Sequence, residues 1–378
     1  MLTNNQKIHL VSFNIPFPAN YGGVIDVFYK IRALHSLGVQ VHLHCFNYSD
    51  RESTTELEKY CSSVTLYPRL LKRSYFFSLK PFIVKSRSNK QLLSNLKQDN
   101  LPILFEGLHS CYFLKELSNN NSRNIVVRTH NIEHTYYCKL AAAENNFVRK
   151  LYLFSEGVKL RYYQKILKSN VSIAAITESD KNYFYHLNPN TSYIPAFHSF
   201  VKVKSATGLG NYILYHGDLS VSENVKAAKF IAKNICPNID FQFIFAGRNP
   251  HKQIIGLSEK YENIKIIANP ANDEMNEIIQ NAHINLLLTF QDTGIKLKLI
   301  NSLFNGRFCL VNNIMVKNTG LESLCIVKDS RSKIINEIKK LISSPFKLSE
   351  INKREQILLK NVNNELSAQK LINLLFKK

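Results

Sequence analysis

The sequence predicts an α/β protein built from two doubly wound parallel-sheet domains joined by a linker. Three observations carry that prediction. A β-loop-α-β unit opens the chain over residues 8–46, the same kind of pattern restarts at Tyr212, and 378 residues exceed what one ordinary core organises.

Residues 8–13 (IHLVSF) form a short β-rich run, followed by a loop holding Pro16, Pro18, Gly22 and Gly23. Val24, Val27, Phe28, Ile31, Leu34 and Leu37 then recur at spacings of three and four, the period of a helix with one apolar face. Gly38 stands where a C-terminal cap is preferred, and residues 39–46 (VQVHLHCF) alternate as a strand does. Further short strands are expected at 64–67, 103–105, 125–128 and 171–177, with a long helical region over 135–167. These make a first domain over 1–195. Residues 196–210, with Ser, Lys, Thr, Gly208 and Gly210, read as the linker. Strands at 212–215, 241–246, 264–267, 284–288 and 308–311 alternate with helices at 222–234, 273–281 and 294–304, which gives a second domain over 211–345. The basic stretch 346–378 reads as a C-terminal helical segment that could cross back to the first domain.

Composition narrows the function. An apolar content of 45% with 11% aromatic residues is globular, and no run reaches the ~18 apolar residues of a membrane span. The first residues are polar and lack the pattern of a secretory signal, so the expected address is the cytoplasm. Seven scattered cysteines without a CxxC pair fit reduced thiols rather than a disulfide framework or a zinc site. The net charge of +21 attracts polyanions, but it is spread evenly: residues 1–195 hold 24 Lys and Arg against 13 Asp and Glu, the remainder 25 against 15. No basic arm, RNA-binding aromatic motif or helix-turn-helix signal is present, which argues against a nucleic-acid partner. Residues 59–98 carry nine basic and no acidic residues, interleaved with Tyr67, Tyr75, Phe76, Phe77 and Phe82, a mixture suited to an anionic membrane surface.

Several motifs, in order and at consistent spacing, resemble those of GT-B glycosyltransferases, specifically the large retaining group called family 4, in its bacterial cell-surface polysaccharide branch. Pro18-Ala19-Asn20-Tyr21-Gly22-Gly23 with Leu37-Gly38-Val39-Gln40-Val41 resembles the family's opening, and Arg128-Thr129-His130-Asn131-Ile132-Glu133 an HN-x-E element. Phe245-Ala246-Gly247-Arg248 resembles a C-domain strand end, and residues 293–301 with Asn305-Gly306-Arg307 the donor signature G-x-K-x-K-x-x-E. The resemblance covers nearly the whole chain. It implies a GT-B fold, two Rossmann-like domains facing a central cleft. It implies transfer of a hexose-type sugar from a nucleotide-diphosphate donor to a lipid-linked or polysaccharide acceptor, in polysaccharide or lipopolysaccharide synthesis at the inner face of the membrane. Retention, no metal and no cofactor beyond the co-substrate are part of that expectation.

The residues agree with it physically. A diglycine before a helix lets backbone N–H groups approach an anion, so Gly22 and Gly23 are candidate donor contacts. Lys296 and Lys298 fall at a helix start, where a purely structural account would place acids; a diphosphate leaving group explains them, with Lys296 also a candidate catalytic group. His216, Gly217 and Arg248 follow strand ends and join the donor set. Asn301 replaces the usual Glu and keeps an amide oxygen without its charge, which leaves open an impaired scaffold or partner subunit, or a sugar-nucleotide epimerase. His109 and His130 follow strand ends and are the candidate catalytic histidines; His42 and His44 read as structural. Asn20, Tyr21, Asn131 and Glu133 are candidate acceptor contacts, although a helix-start acid also explains Glu133. Asp26 reads as a first-turn acid, and Glu106 as either a site carboxylate or a loop residue.

Overall fold

The computed structural model describes residues 6–47, 51, 54–119, 123–168, 170–290 and 296–377. Among these the chain divides into two compact units, one of residues 6–199 and 362–377, the other of 200–290 and 296–361.

The first unit is built on β1 (Lys7–Ser12), β2 (Gln40–Asn47), β3 (Ser63–Pro68), β4 (Ile103–Glu106), β5 (Ile125–Thr129), β6 (Ser172–Ala175) and β7 (Thr191–Tyr193). They lie in the order β3-β2-β1-β4-β5-β6-β7, and every pairing is parallel. A parallel sheet needs cover on both faces, and the near-continuous apolar strands β4 and β5 are buried throughout. On one face Val24, Val27, Ile31 and Leu34 of the helix Gly22–Ser36 pack with Ile8 and Leu10. Ala368, Leu371, Ile372 and Leu375 of the helix Asn364–Leu375 complete this layer, so the chain's last helix belongs to the first unit. The other face is covered by Ile83, Val84, Leu92, Leu96 and Leu160.

The second unit holds β8 (Ile213–Asp218), β9 (Phe243–Arg248), β10 (Ile264–Ala268), β11 (Ile284–Leu287), β12 (Phe308–Val311) and β13 (Ile326–Val327), ordered β10-β9-β8-β11-β12-β13 and again all parallel. Helices Ser222–Asn234 and Arg331–Leu341 bury one face and Asn272–Asn281 the other. In both units the strand order reverses direction beside the first strand, at β1/β4 and at β8/β11. Ligands of doubly wound sheets bind at such switch points, beyond the carboxyl ends of the strands.

Three local expectations are corrected. The helical region 135–167 is two helices, Glu133–Ala143 and Phe147–Tyr163. Asn145 and Asn146 interrupt it, and the Asn146 side chain accepts from the Arg149 N–H as an N-cap. The C-terminal segment is likewise divided, with Asn363 capping its last helix by accepting from the N–H groups of Glu365 and Leu366. Asp26 lies beyond the first turn of its helix and is fully buried, so an ion-pair network rather than the helix dipole accounts for it. All seven cysteines are free thiols, and among the described residues no helix is long and apolar enough to cross a membrane.

Candidate functional site

Each unit gathers polar residues at its switch point. In the first unit the foundation is a chain of fully buried charges. Lys30 Nζ donates to Asp26 Oδ2 at 2.8 Å and to Glu106 Oε1 at 2.6 Å. The Arg128 guanidinium holds Asp26 from the other side, Nη2 to Oδ1 at 2.9 Å and Nε to Oδ2 at 3.2 Å, and also donates to the carbonyls of Ile194 and Pro195. The remaining oxygen of Glu106 meets His130 Nε2 at 3.0 Å. Two carboxylates therefore face two fixed cations. Burial alone would raise both carboxyl pKa values, but Arg128 and Lys30 outweigh it at Asp26, and Lys30 and His130 outweigh it at Glu106, so both are held below the usual range. Asp26, Glu106 and His130 converge closely enough to ligate a cation, but the Lys30 ammonium already stands between the two carboxylates.

On this foundation stand polar atoms that the protein leaves unpaired. His109 Nδ1, Thr129 Oγ1, His130 Nδ1, Asn131 Oδ1 and Glu133 Oε1 are buried without a hydrogen-bond partner among the described residues. Thr129 ends β5, and the other four lie on the segments following β4 and β5. Buried polar groups are nearly always paired, so a concentration of orphans marks where a ligand supplies partners. Gly107 brings the two histidines together: its φ of +71° suits glycine, and a Cβ there would fall 2.7 Å from His109 Nδ1 and 3.6 Å from His130 Cδ2. The Phe13 ring lies against both, with centroids 5.6 Å from His109 and 5.5 Å from His130. Glu133 is the first residue of its helix, yet it is buried beside Asp180, and burial followed by that neighbour's charge pushes its carboxyl up to about 8. Its place at the helix start is as the sequence suggests, but burial rather than the helix dipole dominates its electrostatics. His109 Nε2 is 3.8 Å from its Oε2, and burial followed by the Arg87 charge keeps His109 neutral.

Gly22 and Gly23 begin their helix without a side-chain cap, and a Cβ at Gly23 would lie 2.8 Å from Phe13 Cζ. The helix start thus closes on the ring that touches His109 and His130. Asn20 and Tyr21 sit on the preceding loop, where Arg51 bonds the Asn20 side chain and stacks over the Tyr21 ring; Asn14 donates to the Tyr21 hydroxyl at 3.0 Å.

In the second unit Lys298 lies in the first turn of the helix Leu297–Asn305, with Lys296 at its N-cap position and no acid in that turn. Lys298 Nζ donates to the neutral Asn224 Oδ1 at 3.0 Å and stands 5.3 Å from the Tyr215 ring centroid. Burial drives its pKa down to about 8, Glu223 opposing and Lys296 reinforcing the shift. Asn224 is itself fixed by donating to the Asp218 carbonyl at 2.8 Å. Gly217 and Gly247, paired in register at the ends of β8 and β9, complete the floor. Arg248 follows Gly247, opposite Asp218.

The structure pairs two further sequence candidates with side chains of the helix Leu297–Asn305. His216 is buried on the opposite face of β8, its Nε2 2.9 Å from the Ser302 hydroxyl, and burial with the Lys298 charge lowers its pKa to about 3. Asn301 gives its amide oxygen to the Asn305 side chain at 2.7 Å. Thr293, Gly294 and Ile295 of the donor signature lie outside the described residues. Sequence reasoning missed Lys30, Phe13, Thr129 and Asn224. Only the Asp26/Lys30 spacing of four offered a signal, and that spacing is equally common on solvated helix faces.

No family model matches the chain. It is 29% identical over 351 residues to an uncharacterized 44.6 kDa protein in the cps region of Klebsiella pneumoniae, covering 85% of this chain and 88% of that protein. The solved structure of a TarM mutant from S. aureus in complex with fondaparinux, alpha-GlcNAc-glycerol and UDP matches with a TM-score of 0.67 at 10% identity, covering 98% of this chain and 100% of that one. The apo lipopolysaccharide outer core galactosyltransferase WaaB matches with a TM-score of 0.62 at 12% identity, over 98% and 99% of the two chains. The chain therefore has the GT-B fold, the fold of glycosyltransferases such as TarM and WaaB.

Proposed function

We propose that this protein is a glycosyltransferase that moves a hexose-type sugar from a nucleoside-diphosphate donor to a lipid-linked or polysaccharide acceptor in cell-surface polysaccharide or lipopolysaccharide synthesis. One observation carries the reading: Lys298 is a desolvated cation at the positive end of a helix, bonded to a neutral amide, beside a glycine floor at a switch point. Desolvation disfavours its charge more than the nearby Glu223 restores it, and Lys296 adds to the cost; an anion binding there reverses that cost. The UDP complex of TarM and the cps-region relative support the same assignment.

In this mechanism the diphosphate is held by Lys296, Lys298 and backbone N–H groups near Gly217, with Arg248 beside them. Negative charge developing on the leaving oxygen is stabilised by the lysines, so no metal is required. In the first unit the unpaired atoms of His130, His109, Asn131 and Glu133 take hydroxyl groups of the acceptor, and transfer proceeds with retention at the anomeric carbon. Asn301 specifically favours one second reading, a catalytically impaired partner subunit, since its amide oxygen is engaged by Asn305. That subunit would bind nucleotide and release none from a sugar donor.

Titration calorimetry with UDP tests the reading. Binding is expected, and Lys298→Met weakens it about tenfold to a hundredfold, the worth of one charged hydrogen bond. The wild-type affinity falls as pH rises from 7 to 9, because Lys298 loses its proton near 8; the variant shows no such slope. Absence of binding to UDP and to other nucleoside diphosphates contradicts the proposal.

The acceptor side is proposed to engage an anionic membrane surface through residues 59–98. Phe77 and Leu79 there are 91% and 96% exposed. The adjoining helix Phe147–Tyr163 adds Phe147, Leu151, Phe154, Val158 and Tyr162, exposed apolar residues at helical spacing, while its one acid, Glu156, is buried and paired with Lys159. Flotation with vesicles containing phosphatidylglycerol is expected to carry the protein upward. Leu151→Glu with Phe154→Glu reduces the bound fraction while leaving UDP affinity unchanged.

A further inference from the structure

We propose that Glu106 is a positioning residue that fixes the tautomer of His130, and that Lys30 dictates the direction in which it does so. An ionised carboxylate only accepts hydrogen bonds. Glu106 Oε2 lies 3.0 Å from His130 Nε2, so in the neutral ring the proton sits on Nε2. Nδ1, buried and without a protein partner among the described residues, then presents a lone pair. His130 is thereby an acceptor for a hydroxyl of a ligand bound to the first unit.

The surrounding bonds favour this arrangement. Glu106 and Lys30 are fully buried, so their bonds to one another are made out of bulk solvent. Lys30 Nζ is purely a donor and lies 2.6 Å from Glu106 Oε1 and 2.8 Å from Asp26 Oδ2. Asp26 is in turn held by Arg128 and by the Phe197 N–H at 2.9 Å. The ammonium is thus anchored independently of Glu106 and demands an oxygen at the Oε1 position. Whatever side chain stands at residue 106, its oxygen must face Lys30, and its other terminal atom decides the proton on His130.

This yields a prediction with a definite sign. In Glu106→Gln the amide oxygen turns to Lys30 and the NH₂ group faces His130. His130 Nε2 must then accept, and the proton moves to Nδ1, the wrong edge for accepting a ligand hydroxyl. Loss of the right tautomer with intact geometry cuts turnover by about 10²- to 10⁴-fold in the catalytic triads where the same logic operates. The double variant Lys30→Met with Glu106→Gln removes one cation and one anion together, so the buried charge stays balanced. With the ammonium gone, Asp26 Oδ2 has lost its Lys30 donor, so the amide NH₂ turns toward Asp26, its oxygen faces His130, and the proton returns to Nε2.

The test is ¹⁵N NMR of the full-length protein carrying labelled histidine, with His130→Gln used for assignment. Protonated and bare ring nitrogens have well separated shifts. The proposal expects the proton on Nε2 in the wild type, on Nδ1 in Glu106→Gln, and back on Nε2 as the dominant form in the double variant. An unchanged tautomer in Glu106→Gln, or the Nδ1–H form persisting in the double variant, overturns it. This readout does not depend on the transferase reading. Turnover does rest on it, and kcat for sugar transfer should fall in Glu106→Gln with donor KM changed less than about threefold, as expected for a group acting on the chemical step. If the tautomer flips and transfer was never observed in the wild type, the transferase reading fails while the positioning role stands.

Discussion

Arg128→Leu is expected to lower the unfolding free energy by about 3–5 kcal/mol, the cost of removing one member of a buried ion pair. Arg128 is fully buried in β5 and makes two bonds to Asp26 on the helix Gly22–Ser36. It also donates to the carbonyls of Ile194 at 2.5 Å and Pro195 at 3.0 Å. Its loss takes one of two cations from a buried carboxylate and orphans two carbonyls in one step, and Leu can replace neither interaction. Arg128→Lys should recover only part of the loss, because a point charge does not reproduce the fork that spans Asp26 and the two carbonyls. The effect has a pH signature. Asp26 is depressed below its unfolded value, so its stabilisation is complete above about pH 4 and is lost as the pH falls through the folded pKa. In the variant, burial is opposed by Lys30, with His130 and the Phe197 N–H, but no longer by Arg128, and the carboxyl moves upward. The gap between wild type and variant should therefore narrow on acidification from pH 7 to 4. Urea titrations at several pH values measure it, and a gap independent of pH would place the loss in packing rather than charge.

Gly247→Ala should be nearly as damaging, although it adds one methyl group. A Cβ at residue 247 would stand 1.7 Å from the Gly217 carbonyl oxygen, and the backbone there has φ of +156°. The obstructing atom is backbone in the neighbouring strand, paired in register, so no side chain can swing away. Either the β8/β9 ladder parts at its carboxyl end or the unit unfolds. The expected loss is about 4 kcal/mol or more, with UDP binding abolished because the floor beside Lys298 is displaced. Gly256→Ala is the matching control. It lies in the helix Lys252–Lys260, where a Cβ would meet nothing closer than 3.9 Å, so it should stabilise by about 0.5–1 kcal/mol. Urea denaturation of the two variants separates a local clash from a general intolerance of alanine for glycine.

The sequence carried the doubly wound topology because strand, glycine-rich turn and apolar helix stripe recur in order, and each is a local signal. His109 and His130 were legible for the same reason, as polar residues just past strand ends. Asp26 and Lys30 were not. They fall off the apolar stripe formed by Val24, Val27, Phe28 and Ile31, and such positions ordinarily face water. Here Glu106, Arg128 and the chain at Phe197 cover them, partners 76 to 171 residues distant that no periodicity announces. The orientation of His216 follows from strand alternation. Tyr215 faces Asn224 and Lys298, and Gly217 shares that side, so the intervening His216 points the other way, to Ser302. The break in the helical region at Asn145 and Asn146 was readable in principle, since asparagine caps helices better than it continues them.

The central claim is that the second unit grips the diphosphate of a sugar donor through Lys296 and Lys298 and that the protein uses this grip to transfer the sugar. Incubation with a panel of radiolabelled nucleotide sugars and a bacterial lipid extract, followed by separation of lipid-linked product and nucleoside diphosphate, addresses it directly. One donor should yield both products in equal amounts, and Lys298→Met should reduce both together. Equal yields in wild type and Lys298→Met, or no product from any donor despite tight nucleotide binding, would contradict it.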